Sequence, residues 1–350
     1  MIEIWYQFMR KAVHISLIFY FKKIKLHGTE NVPKKGPILF VSNHPNALID
    51  PLIIKTGITK NLYVLTRAGV FKNNFISKLF DSFKMIPIYR KRDGLSTISK
   101  NEAIFDRCFD ILNDGKSILI FPEGSHSLLK KVRPLSKGFT RITFGAFEKY
   151  PDLNFQIVPI GLNYQNPTEY PDSAAIYFGK PIIAKDYYNP NDLFLSIDLL
   201  KEATQQQMQK LTTHIEGNHE TYEKTLGKLI ALNADFTNPF KTNNLIKEID
   251  NISAETTNKQ SKNTKNLLYY LVLINSIIPW LIWNKVRKGI KELEFTSTFR
   301  LAVGAILFPM SYIIQSFIIH AFFDKKIALI YFSLSLLSCV LLPKTLKVNE

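Results

Sequence analysis

Short apolar runs alternate with more polar segments over residues 26–215, the pattern expected of an α/β domain. Six of these runs have the length of a strand and end at polar or turn-forming residues, so we predict that they are strands. They are 36–43, 61–71, 83–94, 116–127, 155–164 and 174–182. Helices are predicted over 97–113, from the helical spacing of apolar residues, and over 192–215. This alternation predicts a mixed, mostly parallel sheet covered by helices.

The first 25 residues are rich in aromatic side chains and predict an interfacial helix over 2–21. Arg10 and Lys11 interrupt the apolar stretch, and no small-residue cleavage site follows, which does not fit a signal peptide. A helix packed against the folded domain would explain the same pattern. The aromatic residues assigned to the membrane interface are Trp5, Tyr6, Phe8, Phe19 and Phe21, followed by Lys22, Lys23 and Lys25.

The composition changes after about residue 240, which divides the remaining chain into three parts. Residues 26–240 are predicted to form the catalytic domain, and the Asn-, Thr- and Lys-rich segment 241–265 a linker. Residues 266–350 are predicted to form helices at the membrane, because three uncharged apolar runs follow one another. These runs are Leu267–Trp283, Leu301–Phe323 and Ile327–Leu342.

The charges between these runs predict how they meet the membrane. Basic residues between the first and second runs, and after the third, favour the cytoplasmic face. The second and third runs then form a hairpin that turns at 324–326, and the first run dips in and returns. Buried helices of a second soluble domain are the alternative. The basic residues are Lys285, Arg287, Lys288, Lys291, Arg300, Lys344 and Lys347.

The overall charge narrows the range of partners. The chain carries a formal net charge of +16, which indicates a polyanionic partner such as nucleic acid, an anionic membrane or a phosphorylated substrate. No nucleic-acid recognition motif occurs, and the apolar C-terminal runs favour the membrane. The two cysteines do not predict a disulfide framework, and no Cys/His cluster has metal-ligand spacing, so we expect neither a metal nor a cofactor.

His44 and Asp50 follow the first predicted strand and are separated by five residues. A strand end followed by a polar turn would explain them. Alternatively, the aspartate fixes the tautomer of the imidazole and leaves the other ring nitrogen free to accept a proton. Arg90 follows the third strand, and Glu123 and Gly124 follow the fourth. Ligand sites of open α/β sheets form where strands end, so we expect one cleft there.

Four motifs together resemble the glycerophospholipid acyltransferase superfamily, which includes glycerol-3-phosphate and lysophosphatidic acid acyltransferases. They occur in the order expected and cover roughly residues 27–185. The usual first motif has four residues between His and Asp, whereas this chain has five, similar to a subgroup that includes fungal glycerol-3-phosphate acyltransferases. The motifs are NHPNALID (43–50), IPIYRKR (86–92), FPEGSHS (121–127) and VPIGLNY (158–164).

The resemblance implies a role for each matching residue. It implies that His44 is the general base and that Asp50 orients it. It implies that Arg90 binds the phosphate of the acceptor, with Arg92 as a second contact. It also implies acceptor binding by Glu123 and Gly124, and a cleft wall shaped by Pro159. Asn43, the first residue of the first motif, is included among the substrate-binding candidates.

The resemblance implies an O-acyltransferase of phospholipid synthesis. Its donor would be acyl-CoA or acyl carrier protein, and its acceptor glycerol-3-phosphate or 1-acyl-glycerol-3-phosphate. The expected location is the cytoplasmic face of a membrane, which in a bacterium is the inner membrane. A lysophospholipid-remodelling or ornithine-lipid type acyltransferase is the alternative within the class. A basic protein that binds membrane surfaces is the non-enzymatic alternative.

Overall fold

The computed structural model describes residues 2–90, 99–250 and 265–346. At its centre lies an eight-stranded sheet in the order β1-β7-β6-β2-β5-β3-β4, with β8 paired to β6. Strand β6 pairs antiparallel with β7 and β8, and the other pairings are parallel, which confirms the predicted mixed sheet. The strands are β1 (Phe21–His27), β2 (Ile38–Ser42), β3 (Leu62–Arg67), β4 (Met85–Ile88), β5 (Ser117–Ile120), β6 (Gln156–Tyr164), β7 (Asp172–Phe178) and β8 (Ile182–Ile183).

Helices cover both faces of the sheet, as its buried strands require. Along β2, Ile38 and Phe40 pack on one face and Leu39 and Val41 on the other, and all four are fully buried. The helices are α1 (Ile2–Tyr20), α2 (Ile49–Gly57), α3 (Asn74–Ser82), α4 (Asn101–Asn113), α5 (Gly138–Lys149), α6 (Leu193–Leu211), α7 (His219–Ala231), α8 (Pro239–Glu248), α9 (Leu267–Asn275), α10 (Ile277–Lys288), α11 (Thr296–Phe322) and α12 (Lys325–Thr345).

Helix α1 packs on the domain with one face and exposes another. Leu17 and Tyr6 are buried, whereas Trp5 and Phe8 are 45% and 61% exposed. The predicted helix is therefore present, but two of its assigned interfacial aromatics are wrong. Tyr6 lies in the protein interior, and Phe21 starts strand β1, where it is fully buried.

The chain after β1 corrects the lysine assignment as well. Lys22, Lys23 and Lys25 lie on β1 rather than at a helix end. This strand occupies the edge of the sheet and pairs with β7 alone. Lysines on an edge strand discourage pairing with a further strand. Because they interrupt the apolar residues, the sequence of this segment does not predict a buried strand.

The C-terminal helices form the predicted hairpin. Helices α11 and α12 are each long and apolar enough to cross a membrane, whereas α9 and α10 form a pair bent by 89°. The predicted linker needs a correction, because α8 occupies residues 239–248, within which Thr242 is buried. Residues 251–264 of that linker lie outside the described residues.

This C-terminal region packs directly against the sheet domain. Arg300 of α11 donates hydrogen bonds to the Tyr20 hydroxyl at 3.2 Å and to the Thr168 carbonyl at 2.9 Å. Lys344 of α12 donates to the carbonyls of Phe21 and Lys22 at 2.6 and 2.8 Å. The sheet domain and the apolar helices therefore share an interface, although the sequence predicts them to be separate.

Candidate active site

A histidine–aspartate pair lies just beyond the end of β2. His44 Nδ1 and Asp50 Oδ2 are 2.7 Å apart, and the Asp50 side chain is fully buried while that of His44 is 18% exposed. Asp50 belongs to the first turn of α2, which brings its carboxylate back towards the histidine. Because a carboxylate accepts hydrogen bonds, Nδ1 carries the proton, and Nε2 is the nitrogen that can take a proton from a substrate.

The turn between the two residues is tightly constrained. The backbone N–H of Asn46 donates to Asp50 Oδ2 at 2.7 Å, and the carbonyl of Asn46 accepts from Ile49 N at 2.9 Å. Ala47 has a φ of 34°, in the left-handed region that non-glycine residues seldom adopt. Five intervening residues thus still bring imidazole and carboxylate into contact.

Tyr164, which is not among the predicted site residues, donates the remaining hydrogen bond to the Asp50 carboxylate. Its hydroxyl donates to Asp50 Oδ1 at 2.7 Å from the last residue of β6. Burial, followed by the nearby Asp50 carboxylate, raises the pKa of Tyr164 well above its usual value, so the phenol keeps the proton it donates. Its position at the end of a strand in the fourth motif was the signal that could have identified it.

Phe121 and Ser127 of the third motif hold His44 from its other side. The rings of His44 and Phe121 stack with centroids 4.0 Å apart and planes inclined by 16°. The backbone N–H of Ser127 donates to the carbonyl of His44 at 2.9 Å. The first, third and fourth motifs therefore converge on the imidazole and its carboxylate.

Arg90 connects the second motif to the same place. It follows β4, and its Nη1 donates to the carbonyl of Gly124 at 3.2 Å. Gly124 has a φ of +72°, which favours glycine, and a Cβ added there would meet no atom of the described chain within 4 Å. The guanidinium is therefore held at the third motif by the Gly124 carbonyl. Arg92 lies outside the described residues.

Glu123 points into the protein framework and not into open space. Its Oε2 accepts from Arg133 Nη2 at 2.7 Å, its Oε1 accepts from the backbone of Arg133 at 3.1 Å, and its side chain is 3% exposed. Burial raises the pKa of the Glu123 carboxyl, and the Arg133 guanidinium opposes that rise. Glu123 thus forms an ion pair that orders the loop between β5 and α5, and its implied contact with the acceptor headgroup stays a prediction.

Two further candidates also belong to the framework. Asn43 Oδ1 accepts from Leu162 N at 2.7 Å and its Nδ2 donates to Leu162 O at 2.9 Å, so the buried amide joins the ends of β2 and β6. Pro159 is buried inside β6, opposite Val41. Asn43 and Pro159 therefore help to position the strand ends, and their contact with a substrate stays a prediction.

His126 brings the C-terminal region to the site. Its ring lies 5.9 Å from that of His44 and 5.0 Å from that of Phe295, between centroids. Its Nε2 is 3.2 Å from a carboxylate oxygen of Glu292, and its Nδ1 is 3.7 Å from one of Glu294. Burial and the neighbouring His44 lower the pKa of His126, whereas the two glutamates raise it. The segment before α11 therefore borders the site, which no local pattern in the sequence indicates.

The described residues contain no group of three or more His, Cys, Asp or Glu side chains that could hold a metal ion. What the site offers is a base with one available nitrogen, a buried carboxylate that orients it, and a guanidinium nearby. These groups can deprotonate a hydroxyl and bind an anion.

The chain is similar in sequence to known acyltransferases. Residues 23–163 match the sequence profile of the Acyltransferase family. Glycerol-3-phosphate O-acyltransferase 1 of Saccharomyces cerevisiae is 22% identical, over 49% of this chain and 34% of that protein. The 1-acyl-sn-glycerol-3-phosphate acyltransferase of Borreliella burgdorferi is 28% identical, over 37% of this chain and 50% of that protein. The chain thus spans between a third and a half of the length of these two relatives.

Among solved structures, the 1-acyl-sn-glycerophosphate acyltransferase PlsC of Thermotoga maritima aligns with a TM-score of 0.43 and 16% sequence identity. The alignment covers 59% of this chain and 79% of that one.

Proposed function

Residues 23–163 of this chain belong to the acyltransferase family, and from this premise we propose that the protein is a membrane-bound O-acyltransferase of phospholipid synthesis. It transfers a fatty acyl group from a thioester to a hydroxyl of glycerol-3-phosphate or of 1-acyl-glycerol-3-phosphate. The observation that carries the proposal is the 2.7 Å contact between His44 Nδ1 and Asp50 Oδ2. It selects the tautomer in which Nε2 is the base.

In the proposed reaction, His44 Nε2 removes the proton of the acceptor hydroxyl as its oxygen attacks the thioester carbonyl carbon. The C–S bond then breaks, the acyl ester remains on the acceptor, and the thiol of the carrier leaves with the proton. Asp50 stabilises the imidazolium that forms in between, and Tyr164 holds the carboxylate in place. A positioned base of this kind contributes about 10²–10⁴-fold to the rate.

Arg90 is proposed to bind the phosphate of the acceptor. A guanidinium can donate two parallel hydrogen bonds to a phosphate, which a lysine cannot do. Its contact with the Gly124 carbonyl places it beside the third motif, close to the strand end that carries His44. Arg92 is proposed as the second, weaker contact on the basis of the sequence alone.

We also propose that the protein resides at the cytoplasmic face of its membrane. The α11–α12 hairpin returns the chain to the side from which it starts, so the basic residues before α11 and the basic residue Lys344 lie on one side. Excess Lys and Arg mark the cytoplasmic side. Acyl-CoA and acyl carrier protein are both water-soluble donors that reach this side.

A substrate panel tests the proposal. The full chain in detergent is incubated with glycerol-3-phosphate, 1-acyl-glycerol-3-phosphate, lysophosphatidylcholine or lyso-ornithine lipid, each with acyl-CoA or acyl carrier protein, and the product lipid is identified by mass spectrometry. We expect acylation of a phosphorylated glycerol. Acylation of only the last two acceptors would point to the remodelling or ornithine-lipid alternative. Vesicle binding without any acyl transfer would point to a membrane-surface binding protein.

A further inference from the structure

A cavity, which we call the helical cavity, lies between α1, the β6–β7 connection and helices α9–α12. Its volume is about 550 Å³, within the range of about 300–1,000 Å³ typical of small-molecule sites. Its lining is mainly apolar, and the lining residues include Phe19, Tyr170, Val272, Trp280, Phe308 and Leu336. None of the catalytic candidates described above lines it.

Cationic side chains gather at one end of the helical cavity. Arg287 and Arg300 line it, and the Arg300 guanidinium lies 5.0 Å from the ring centroid of Trp283. Trp283 and Arg287 are four residues apart on α10 and so lie on one face of that helix. The acidic residue on the lining is Glu169, which is exposed. Two guanidiniums against one carboxylate leave this end positive and suited to an anion.

The remaining part of the helical cavity follows the direction of a candidate membrane span. Arg300 lies near the start of α11, and Tyr312 lines the cavity twelve residues further along. At 1.5 Å per residue this separation is about 18 Å along the helix. The cavity therefore combines a positive end with a long apolar stretch, which is the complement of an anionic headgroup carrying an acyl chain.

We propose that the helical cavity binds a single-chain anionic glycerolipid, with its phosphate at Arg287 and Arg300 and its acyl chain between α10 and α11. Guanidiniums bind phosphate through paired, charge-assisted hydrogen bonds. A volume of this size suits one chain, whereas a diacyl lipid would leave a chain outside. The choice of lysophosphatidic acid as the probe rests on the proposed function, but its binding requires no turnover.

The headgroup end of the helical cavity adjoins the catalytic sheet. Arg300 bonds the Tyr20 hydroxyl, and the rings of Tyr20 and Phe21 lie 5.0 Å apart. The Phe21 ring lies 6.0 Å from that of Tyr164, whose hydroxyl bonds Asp50. A lipid bound in this cavity would thus lie between the bilayer and the site around His44. It could be an acceptor before acylation or a product after it.

Tryptophan fluorescence offers a direct test, because two of the three tryptophans of the chain, Trp280 and Trp283, line the helical cavity. The third, Trp5, is replaced by Phe to remove its background. The full chain in neutral detergent is titrated with lysophosphatidic acid that carries a quenching bromine pair on its chain. We expect saturable quenching that unlabelled lysophosphatidic acid reverses and that lysophosphatidylcholine of the same chain does not.

Two variants locate the binding. Gly304 lines the helical cavity, and a Cβ added there would meet nothing within 4 Å, so Gly304→Leu should fill space that the acyl chain needs. Gly227 on α7 has equally open surroundings outside the cavity, which makes Gly227→Leu the matched control. Arg287→Gln should weaken binding about tenfold or more, whereas Lys288→Gln, its exposed neighbour outside the cavity, should not.

The outcomes separate as follows. Loss of saturable quenching in Gly304→Leu and binding about tenfold or more weaker in Arg287→Gln, with both controls unchanged and all variants showing a cooperative melt, support the proposal. Quenching that rises in proportion to the lipid fraction, equally for both headgroups, reports contact with the micelle and would overturn it. Tighter binding of brominated phosphatidic acid than of the single-chain probe would overturn the single-chain assignment. The quenching titration does not depend on turnover. A protein that binds in this titration but transfers no acyl group in the substrate panel would therefore count against the proposed function alone.

Discussion

The site around His44 and the helical cavity differ in how tightly their side chains are held. At Asp50, both carboxylate oxygens are bonded at 2.7 Å, by groups from the first and fourth motifs. The helical cavity instead encloses about 550 Å³ of space lined mainly by apolar side chains, with Arg287 and Arg300 at one end. The proposed proton transfer requires side chains held in one geometry, whereas the proposed lipid binding requires room between helices.

The largest predicted effect comes from disturbing the fixed geometry. In Asp50→Asn, the negative charge that stabilises the imidazolium is lost, and an amide nitrogen replaces one of the two oxygens that accept hydrogen bonds from His44, Asn46 and Tyr164. We expect kcat to fall by about 10²–10⁴-fold, with little change in the amount of folded protein. Steady-state acyl transfer by the purified full chain measures this.

Asp152→Asn is the matched control, because Asp152 is exposed in the turn after α5. Its activity should stay within about twofold of that of the unaltered chain. Similar activities for the two variants would show that His44 does not need the Asp50 carboxylate.

A smaller effect is expected at the anion contact. Arg90→Ala removes a charge-assisted contact worth about 1.5–3 kcal/mol, so the KM for glycerol-3-phosphate should rise by about 10–100-fold while that for the acyl donor changes little. Arg90→Lys should recover part of the loss, because lysine keeps the charge without the planar fork. Arg107→Ala, at an exposed position of α4, is the control. Equal changes in both KM values would remove Arg90 from the acceptor site.

The segment before α11 meets the His44 site at His126, and a double substitution tests whether that contact matters. Glu292→Gln with Glu294→Gln removes the carboxylates 3.2 and 3.7 Å from the His126 ring. Partly exposed pairs are worth up to about 1 kcal/mol, so kcat/KM should fall by no more than about fivefold. The matched control replaces Glu220 and Glu223 on α7, both exposed, with Gln. Identical rates for the two double variants would limit the C-terminal region to membrane attachment and lipid binding.

The smallest effect on turnover is expected at Asp172, a carboxyl buried at the start of β7. Burial raises its pKa to about 7. Between about pH 4, where the unfolded chain ionises, and pH 7, the unfolded state loses this proton while the folded state keeps it. The free energy of unfolding therefore falls as the pH rises through this window, by at most roughly 4 kcal/mol.

Asp172→Asn should abolish this dependence and keep both backbone hydrogen bonds that Oδ1 accepts, from Asn166 N and Ser173 N at 2.7 Å. Thermal melts in detergent at pH 5 and pH 8 measure it. The Tm of the variant should exceed that of the unaltered chain by more at pH 8 than at pH 5. A difference that does not change with pH would contradict the raised pKa.

The sequence predicts the strands at the centre of the sheet well and its edge poorly. Strands β2 and β6 are buried apolar runs that end at polar residues, β2 before the first motif and β6 with the last residue of the fourth, so both their existence and their ends are readable. Strand β1 alternates lysines with apolar residues directly after the aromatic end of α1, which imitates the continuation of an amphipathic helix. Its place in the sheet depends on pairing with β7, far along the chain.

At the site, the sequence predicts where residues gather but not which way each one points. His44, Asp50 and Arg90 lie where their strand ends place them, whereas Glu123 and Asn43 turn inward to Arg133 and Leu162. A one-residue step along the chain reverses the face on which a side chain lies, and no motif encodes the partner across the sheet. For the same reason Tyr164 was missed, although the fourth motif ends on it.

The most direct test of the central claim is acyl transfer by the full chain with and without the base. Purified protein and its His44→Ala variant are compared for transfer from the best acyl donor to glycerol-3-phosphate or its 1-acyl derivative, with the product lipid quantified by mass spectrometry. Equal cooperative melts show that both are folded. We expect His44→Ala to lose turnover by about 10²–10⁴-fold and still to bind membranes. Turnover by the variant at the rate of the unaltered chain would contradict the central claim.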